Sequence, residues 1–308
     1  MISIGNVAVG GRAKTPLAAL LASRLRDMGE RPAILSRGYA RRLAPDGVVV
    51  VRDPDGIRAD LNRAGDEPLM LARQLAGVAV LTGASRYLAG HLAERHFGCT
   101  VHILDDGFQH FELRRDADIV VIAAGDIEGA RTLPSGRLRE PLDAMAAADA
   151  VIALGDDVPL APLRLDGRPA WRARRRLESV RTPGGGEDEP HPGDPVLALA
   201  GIAEPSAFFH GVRAAGWRVV REMAFRDHHP YSRADVAAVM QAAKAAGAAA
   251  VLTTEKDWVR LLPYRPFSLP VAYAPLAVDI DGIETLDVWL RGRLDAARAG
   301  ECQEYGAR

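Results

Sequence analysis

Residues 2–16 read ISIGNVAVGGRAKTP, an apolar run followed by a glycine-rich turn and a Lys-Thr-Pro sequence. We predict a buried strand over residues 2–9 and a helix after the turn, because leucines recur at helical spacing from Leu17 to Leu25. A glycine-rich turn between a strand and a helix is the setting of a phosphate-binding loop, whose backbone N–H groups and helix N-terminus face the phosphates. The stretch therefore predicts a nucleotide-binding α/β domain.

Two side chains of this loop fit phosphate chemistry, and one residue departs from the pattern. Lys14 has the position of the lysine that reaches the β- and γ-phosphates, and Thr15 that of the hydroxyl that binds Mg²⁺. Ala13 stands where the pattern has glycine, and alanine costs about 1–2 kcal/mol if the position requires a positive φ. The alternative is a glycine-containing turn of a Rossmann-like protein. The residues expected to contact the nucleotide are Val9, Gly10, Gly11, Arg12, Ala13, Lys14 and Thr15.

Strands and helices alternate along the chain, which favours an α/β fold with a P-loop NTPase-like, mainly parallel sheet. Further strands are predicted at residues 31–35, 48–51, 78–81, 101–104 and 119–123, and helices at 67–75 and 87–96. Residues 181–195 hold Pro, Gly and acidic residues without periodicity and are interpreted as a loop. We therefore predict a P-loop core domain at 1–165, a strand-like linker and loop at 166–195, and a smaller C-terminal α/β domain at 196–308.

The composition is that of an ordinary globular protein. The 308 residues are 48% hydrophobic and 26% charged with a net charge of −1, which excludes a disordered chain and a histone-like polycation. A charge near zero also argues against electrostatic capture of nucleic acid. Two cysteines cannot build a disulfide framework, and no uncharged apolar run is long enough to span a membrane. We expect a reducing cytoplasmic setting and no transmembrane helix.

Two pairs of carboxylates lie where strands and helices meet. Asp66 and Glu67 open a predicted helix, and Asp66 is either a base for a substrate hydroxyl or a helix N-cap. Asp105 and Asp106 follow an apolar strand. A carboxylate at that edge of a parallel sheet holds Mg²⁺ in P-loop enzymes, and an ordinary Asp-Gly turn is the alternative.

Two polar segments lie in the second half of the chain. Residues 225–231 read FRDHHPY, and adjacent histidines do not share a helix face, so joint metal ligation is disfavoured. One of these histidines could share a proton with a carboxylate base, and a surface turn is the alternative. Residues 253–257, TTEKD, end a predicted strand and open a helix, as either a cap or a polar wall of a site.

In this order, the segments GNVAVGGRAKTP, SRGY, GDEP, DDGFQH, RLREPL, FRDHHPY and TTEKD resemble the tetraacyldisaccharide 4'-kinases, or lipid A 4'-kinases. The resemblance extends from Gly5 to about Asp257. It implies phosphorylation of the 4'-hydroxyl of a lipid A disaccharide 1-phosphate precursor, which depends on ATP and Mg²⁺ and gives lipid IVA. It also implies that nucleotide and acceptor bind in a cleft between a P-loop core and the smaller domain.

The resemblance implies a role for each matching position. Asp66 matches the catalytic base, assisted by a histidine of the DHH motif; both His228 and His229 stay open, and we favour His228. Asp105 and Asp106 match an acidic pair near Mg²⁺. The positions expected near the sugar or its phosphate, or in other polar segments of the site, are Arg37, Tyr39, Glu67, Gln109, His110, Arg139 and Glu140.

The resemblance also implies work at the cytoplasmic face of the inner membrane of a Gram-negative-type bacterium. Related kinases carry an apolar, basic helix before the first strand, whereas here a strand is predicted from Ile2 onward. We therefore expect peripheral docking through another surface. Residues 171–176, WRARRR, are a candidate because basic residues attract anionic lipids, and a solvated basic strand is the alternative.

Two other functions stay open on the sequence. Ala13 motivates a non-catalytic relative that binds nucleotide or glycolipid without transfer. A P-loop kinase for a different sugar or lipid acceptor is the second. A P-loop GTPase is disfavoured because the chain has no Asn-Lys-x-Asp motif to read the base.

Overall fold

The computed structural model describes residues 1–39, 41, 43, 47–163, 165–183 and 189–306. The strands are β1 Ile2–Gly5, β2 Pro32–Ser36, β3 Val48–Arg52, β4 Ala79–Gly83, β5 Val101–Asp105, β6 Ala117–Ile122, β7 Ala150–Leu154, β8 Ala170–Leu177, β9 Pro195–Ala200, β10 Arg218–Ala224, β11 Ala250–Thr254, β12 Val271–Ala274 and β13 Leu276–Ile280. The α-helices are α1 Lys14–Asp27, α2 Leu61–Ala64, α3 Asp66–Gln74, α4 Arg86–Phe97, α5 Ala124–Glu128, α6 Pro205–Ala214, α7 Arg233–Ala245, α8 Glu255–Leu261 and α9 Ile283–Gly306. Short 3₁₀ helices lie at Leu142–Ala147, Ala161–Leu163 and Leu262–Tyr264.

The larger sheet confirms the predicted mainly parallel architecture. Within the described residues its strand order is β13-β8-β7-β6-β1-β5-β2-β4-β3, and only the two edge strands β3 and β13 pair antiparallel. The helix α1 covers β1, β2 and β5 with Leu17, Leu21 and Leu25, all fully buried. Because the central strands are parallel, the segments that follow β1, β2, β4 and β5 all emerge at one edge of the sheet.

The first strand is shorter than the predicted residues 2–9. After Gly5 the chain leaves the sheet, and the Val7 carbonyl accepts a hydrogen bond from Arg139 N at 2.7 Å. Val9 N donates to the Arg137 carbonyl at 2.8 Å, so the apolar residues beyond β1 pair with a later segment instead of extending the strand. A β-carbon on Gly5 would lie 2.3 Å from Phe108 Cβ. Position 5 therefore requires glycine, because the turn after β5 packs directly against its backbone.

The second sheet has the parallel order β10-β9-β11-β12, and the chain then returns to the first sheet. The strand β8, in the predicted linker, pairs with β7, and β13 pairs with β8. On α9, Leu286 and Leu290 are fully buried in the core of the larger sheet. The structure therefore departs from the predicted division: β8, β13 and α9 are built onto the P-loop unit, where Trp171, Val278 and Leu290 are buried. Residues 184–188 of the predicted loop lie outside the described chain.

Candidate active site

The phosphate loop joins β1 to α1 at the central edge of the larger sheet. Lys14 is mostly buried, and its Nζ lies 2.7 Å from Asn6 Oδ1 and 3.0 Å from Asp106 Oδ1. Because α1 begins at Lys14, the N–H groups of its first turn have no partners within the helix and are free to face an anion. Asn6 is fully buried and orients the lysine, and only its place after the strand could have indicated this role.

Ala13 adopts the left-handed conformation, with φ 52° and ψ 28°, at the N-cap of α1. This is the region in which a β-carbon is strained and glycine is not. Ala13 therefore keeps the left-handed backbone geometry that the glycine of the pattern would adopt.

Replacing Ala13 by glycine should raise the free energy of unfolding by about 0.5–1 kcal/mol, because relief of the left-handed strain exceeds the extra entropy of the unfolded chain. Thermal denaturation without nucleotide measures it. Ala19→Gly in the middle of α1 is the matched control and should destabilise by about 1 kcal/mol, since that position is helical. Equal losses in the two variants would contradict strain at Ala13.

Arg12 turns away from the loop mouth and into the protein. Its guanidinium forms a two-pronged ion pair with Asp126, with Arg12 Nε 2.9 Å from Asp126 Oδ2. Both side chains are at least nine-tenths buried, and Asp126 Oδ2 also accepts from Ala123 N at 3.0 Å. The predicted nucleotide contact of Arg12 is thus restricted to its backbone, and its side chain anchors the loop to α5.

Thr15 and Asp105 form a site suited to a magnesium ion. Thr15 Oγ1 donates to Asp105 Oδ2 at 3.1 Å, while Asp105 Oδ1 is buried without a hydrogen-bond partner. Burial, with the charges of Glu67 and Asp106, raises the pKa of Asp105 to about 7. A buried carboxylate with an unsatisfied oxygen beside a hydroxyl fits a cation that also takes phosphate and water oxygens. The described residues contain no cluster of three or more His, Cys, Asp or Glu side chains for an all-protein metal site.

Asp106, predicted to share the metal role, is instead held by cations. Its carboxylate lies 3.0 Å from Lys14 Nζ and 3.2 Å from Arg139 NH1, and its φ of 55° turns it away from Asp105 in the chain. Burial alone would raise the pKa of Asp106, but Lys14 and Arg139 outweigh it and hold that pKa below its ordinary value. Asp106 thus orients the phosphate-binding lysine.

Asp66 is the first residue of α3, 3% exposed, and it contacts the second domain. Its Oδ1 accepts from Glu67 N at 2.9 Å, and its Oδ2 lies 2.8 Å from His228 Nδ1. The N-cap is Gly65, so the capping interpretation of Asp66 is wrong, although the helix N-terminus still favours its negative charge. Gly65 has φ 86°, and a β-carbon there would lie 2.6 Å from the Tyr39 carbonyl oxygen.

Cations surround Asp66. Burial alone would raise its pKa, but the His228 hydrogen bond and the charges of Lys256 and Arg260 lower the pKa of Asp66 to about 2. Arg260 Nε lies 3.0 Å from Asp66 Oδ2. The carboxylate is therefore ionised throughout the physiological range and available to accept a proton.

Lys256 and Arg260 lie beside Asp66, and only Lys256, as part of the TTEKD segment, was among the predicted candidates. The TTEKD segment is both a cap and a site wall: Thr254 caps α8, and Lys256 Nζ lies 3.0 Å from Glu67 Oε1 and 3.0 Å from His228 Nε2. One turn later Arg260 reaches Asp66. A helix opened by the capped Thr254 places residues 256 and 260 on one face, and that spacing is the signal that could have found Arg260.

The structure separates the two adjacent histidines. His229 lies between the rings of Phe225 and Tyr231, and its Nε2 is 3.2 Å from Asp235 Oδ2 at the start of α7. His228 has φ 55°, which turns its side chain toward the opposite domain. The geometry therefore pairs Asp66 with His228, as we favoured, and places the second candidate, His229, in a different contact.

The residues predicted near the acceptor lie around the same edge. Tyr39 is 67% exposed with its ring 4.9 Å from that of His228, and Glu67 pairs with Lys256. Gln109 Nε2 donates to the Asn6 carbonyl at 2.9 Å, and its Oε1 is buried without a partner.

Three further predicted positions surround them. Burial and the positive charge of Arg86 lower the pKa of His110, and Arg37 contributes to that positive field. Glu140 Oε1 is buried and unpartnered, which leaves an acceptor directed away from solvent.

The chain is similar to proteins of one family. A family model described as tetraacyldisaccharide-1-P 4'-kinase matches residues 1–295. The tetraacyldisaccharide 4'-kinase of Geobacter metallireducens is 40% identical over 269 residues, covering 85% of this chain and 79% of that protein. Its counterpart in Anaeromyxobacter dehalogenans strain 2CP-1 is 39% identical over 316 residues, covering 97% of this chain and 82% of that protein. LpxK from Aquifex aeolicus in complex with ATP has a TM-score of 0.75 at 30% identity, covering 95% of this chain and 88% of that chain.

Proposed function

The chain belongs to the tetraacyldisaccharide-1-P 4'-kinase family and is an ATP-dependent kinase of lipid A biosynthesis, and from this premise we propose which of its residues carry the transfer. The acceptor is a tetraacyldisaccharide 1-phosphate, and its 4'-hydroxyl attacks the γ-phosphoryl group of ATP. The observation that supports these assignments best is the Asp66–His228 pair, in which an ionised, buried carboxylate meets a histidine of the other domain at 2.8 Å. Such a pair is placed to accept the hydroxyl proton.

The remaining groups position and neutralise phosphate. Lys14 and the N-terminus of α1 face the β- and γ-phosphates, and phosphoryl transfer needs this charge neutralisation more than covalent help from the protein. Thr15 and Asp105 would hold Mg²⁺, which supplies charge neutralisation at the phosphate oxygens when bound. Asp106 and Asn6 keep the Lys14 ammonium directed at the phosphates.

Both domains contribute to one site, which ties the chemistry to their association. Asp66 and Glu67 come from α3, while His228 and Lys256 come from the smaller domain. A second contact between the same two helices joins Gln74 of α3 to Glu255 of α8. A cleft assembled in this way excludes water from the phosphoryl group when it is closed.

The transfer assay uses the purified protein, ATP, Mg²⁺ and a synthetic tetraacyldisaccharide 1-phosphate in detergent micelles. We expect a product with a new 4'-phosphate, detected by mass spectrometry and by its second phosphorus resonance. Replacing the acceptor by its 4'-deoxy analogue is the control and should give no product. Phosphorylation of the deoxy analogue, or none of the parent acceptor by folded protein that binds ATP, would contradict the assignment.

We also propose peripheral contact with the cytoplasmic face of the inner membrane. None of the helices in the described part of the chain has the length and apolar character to cross a bilayer. The basic strand β8 is a poor docking surface because its arginines are used in ion pairs: Arg174 with Asp156 and Asp281, Arg175 with Glu204, and Arg176 with Asp279.

A better surface is the edge patch of Tyr87, Leu88 and Phe111, which are 64%, 50% and 68% exposed. Tyr87 and Leu88 lie in the first turn of α4 after β4, and Phe111 follows the β5 turn, so all three lie at the edge that carries the phosphate loop. Burial and the nearby charges of Arg37 and Arg41 lower the pKa of Arg86, which marks a cationic cluster beside the patch. Exposed apolar side chains next to cations fit an anionic lipid surface.

The triple variant Tyr87→Ser, Leu88→Ser, Phe111→Ser should bind vesicles of phosphatidylglycerol and phosphatidylethanolamine at least tenfold more weakly, because it loses the apolar area that enters the bilayer. Flotation measures the bound fraction. Val288→Ser is the matched control, since Val288 on α9 is 71% exposed and lies outside the patch. Flotation of the triple variant equal to that of the unaltered protein would contradict this surface.

A further inference from the structure

The second lysine of the site, Lys256, lies beside Asp66 and His228 but has no step in the transfer proposed above. The chain has 39 basic residues, and only Lys14, Lys244 and Lys256 are lysines. The Lys256 side chain is 16% exposed, and its Nζ contacts Glu67 Oε1 at 3.0 Å, His228 Nε2 at 3.0 Å and Asp227 Oδ1 at 3.4 Å. A compact ammonium with three donors matches three acceptors at this spacing, which a planar guanidinium does not do as well.

The contact with His228 Nε2 determines where the histidine carries its proton. An ammonium only donates hydrogen bonds, so Nε2 must accept and carries no proton. The other ring nitrogen, Nδ1, then carries the hydrogen and donates it to Asp66 Oδ2 at 2.8 Å. The two contacts together fit one tautomer of the ring, in which the hydrogen is on Nδ1.

We propose that Lys256 is a positioning residue that holds His228 as its Nδ1–H tautomer, so that Asp66 receives an ordinary N–H hydrogen bond and its carboxylate stays available for the acceptor's proton. This rests on the proposed role of Asp66. The groups facing His228 are Asp66 and Glu67 on α3, Lys256 and Arg260 on α8, Asp227 on its own loop and the Tyr39 ring. Without the lysine, three carboxylates face the imidazole and favour its protonation.

Lys256→Met should therefore change the pH dependence of the reaction. At pH 7 we expect kcat to fall by about tenfold or more, with KM for ATP changed by less than about threefold, because imidazolium in the variant forms a charge-assisted hydrogen bond that occupies the Asp66 oxygen. The loss should shrink as the pH is raised, and kcat should recover toward that of the unaltered protein. Lys256→Arg keeps a cationic donor and should retain the original pH profile. Lys244→Met removes an exposed lysine on α7 and is the matched control.

Histidine ring ¹⁵N resonances test the tautomer without any turnover, so this result is independent of the proposed function. Labelled protein, with the His228 signals assigned from a His228→Gln variant, should show a protonated Nδ1 and an unprotonated Nε2 at pH 7. Lys256→Met should show both nitrogens protonated. A protonated Nε2 in the unaltered protein, or a loss of kcat in Lys256→Met that is equal at all pH values, would overturn the proposal. Failure of transfer by every variant and by the unaltered protein would instead count against the proposed role of Asp66.

Discussion

Asp66→Asn should lower kcat by about 10²–10⁴-fold while ATP affinity, measured by calorimetry, changes by less than threefold. Asparagine keeps the shape of the side chain but cannot take the proton of the acceptor hydroxyl. It also meets two donors, His228 Nδ1–H and Glu67 N–H, and its own amide group can accept only one of them. The nucleotide loop is formed by other residues, so ATP binding should persist.

The second Asp–His pair of the same region supplies the matched control. Asp235 lies 3.2 Å from His229 Nε2 and completes the capping box of α7 by accepting from the Ser232 N–H. Asp235→Asn makes the same chemical change, and kcat should stay within about threefold although the cap is weakened by about 1 kcal/mol. If Asp66→Asn keeps more than a tenth of the activity, or if both variants lose activity equally, Asp66 is not the base.

The free energy of unfolding of the unaltered protein should depend on pH through the ionisation of Asp66, whereas that of Asp66→Asn should lack this contribution. The pKa of this carboxyl is about 2 in the folded chain, against 3.8 for a free aspartate. Because the folded pKa is the lower one, ionised Asp66 stabilises the fold by about 2 kcal/mol at neutral pH. That contribution is complete above about pH 4 and is lost as the pH falls toward about 2. The stability gap between the unaltered protein and Asp66→Asn should therefore narrow on acidification.

The sequence predicted those parts of the site that are local in the chain. The strand–turn–helix around Lys14 and Thr15 has its own spacing, and Asp105 at the end of an apolar strand must emerge at the edge of a parallel sheet. The sequence identifies Asp66 as a candidate, but it does not show whether Asp66 or the residue before it is the N-cap of the following helix. The φ of 86° makes Gly65 the N-cap, so that α3 begins at Asp66, one residue earlier than the predicted start at residue 67.

Contacts between distant segments could not be predicted in the same way. Asp66 pairs with His228 and not with His229 because the backbone of His228 is left-handed, which turns its side chain toward the opposite domain. The residues of the loop do not predict that conformation. Arg260 reaches Asp66 across 194 residues only because α3 and α8 pack together. The predicted division at residue 196 failed for the C-terminal residues because the apolar positions of β13 and α9 do not show which of the two sheets they pack against.

Asp126→Ala should be the most destabilising single change among the site-supporting residues, at about 3–5 kcal/mol, because it leaves the Arg12 guanidinium buried without its counter-charge. It also removes the acceptor of the Ala123 N–H. Arg12 precedes Ala13 in the phosphate loop, and loss of its anchor should disturb the loop. The folded fraction of Asp126→Ala should therefore have a raised KM for ATP with a smaller change in kcat. Chemical denaturation and steady-state kinetics measure the two effects.

The double variant Arg12→Met, Asp126→Leu separates charge burial from packing. Replacing a buried ion pair by apolar side chains of similar volume is often neutral for stability, so most of the lost free energy of unfolding should return. Asp279→Ala breaks an exposed pair with Arg176, both side chains being more than half exposed, and should cost less than about 1 kcal/mol. If the double variant is as unstable as Asp126→Ala, the cost lies in the Ala123 N–H and the packing around α5 rather than in an unpaired charge. If KM for ATP is restored together with stability, the loop needs only an anchor at position 12, and an apolar contact can provide it.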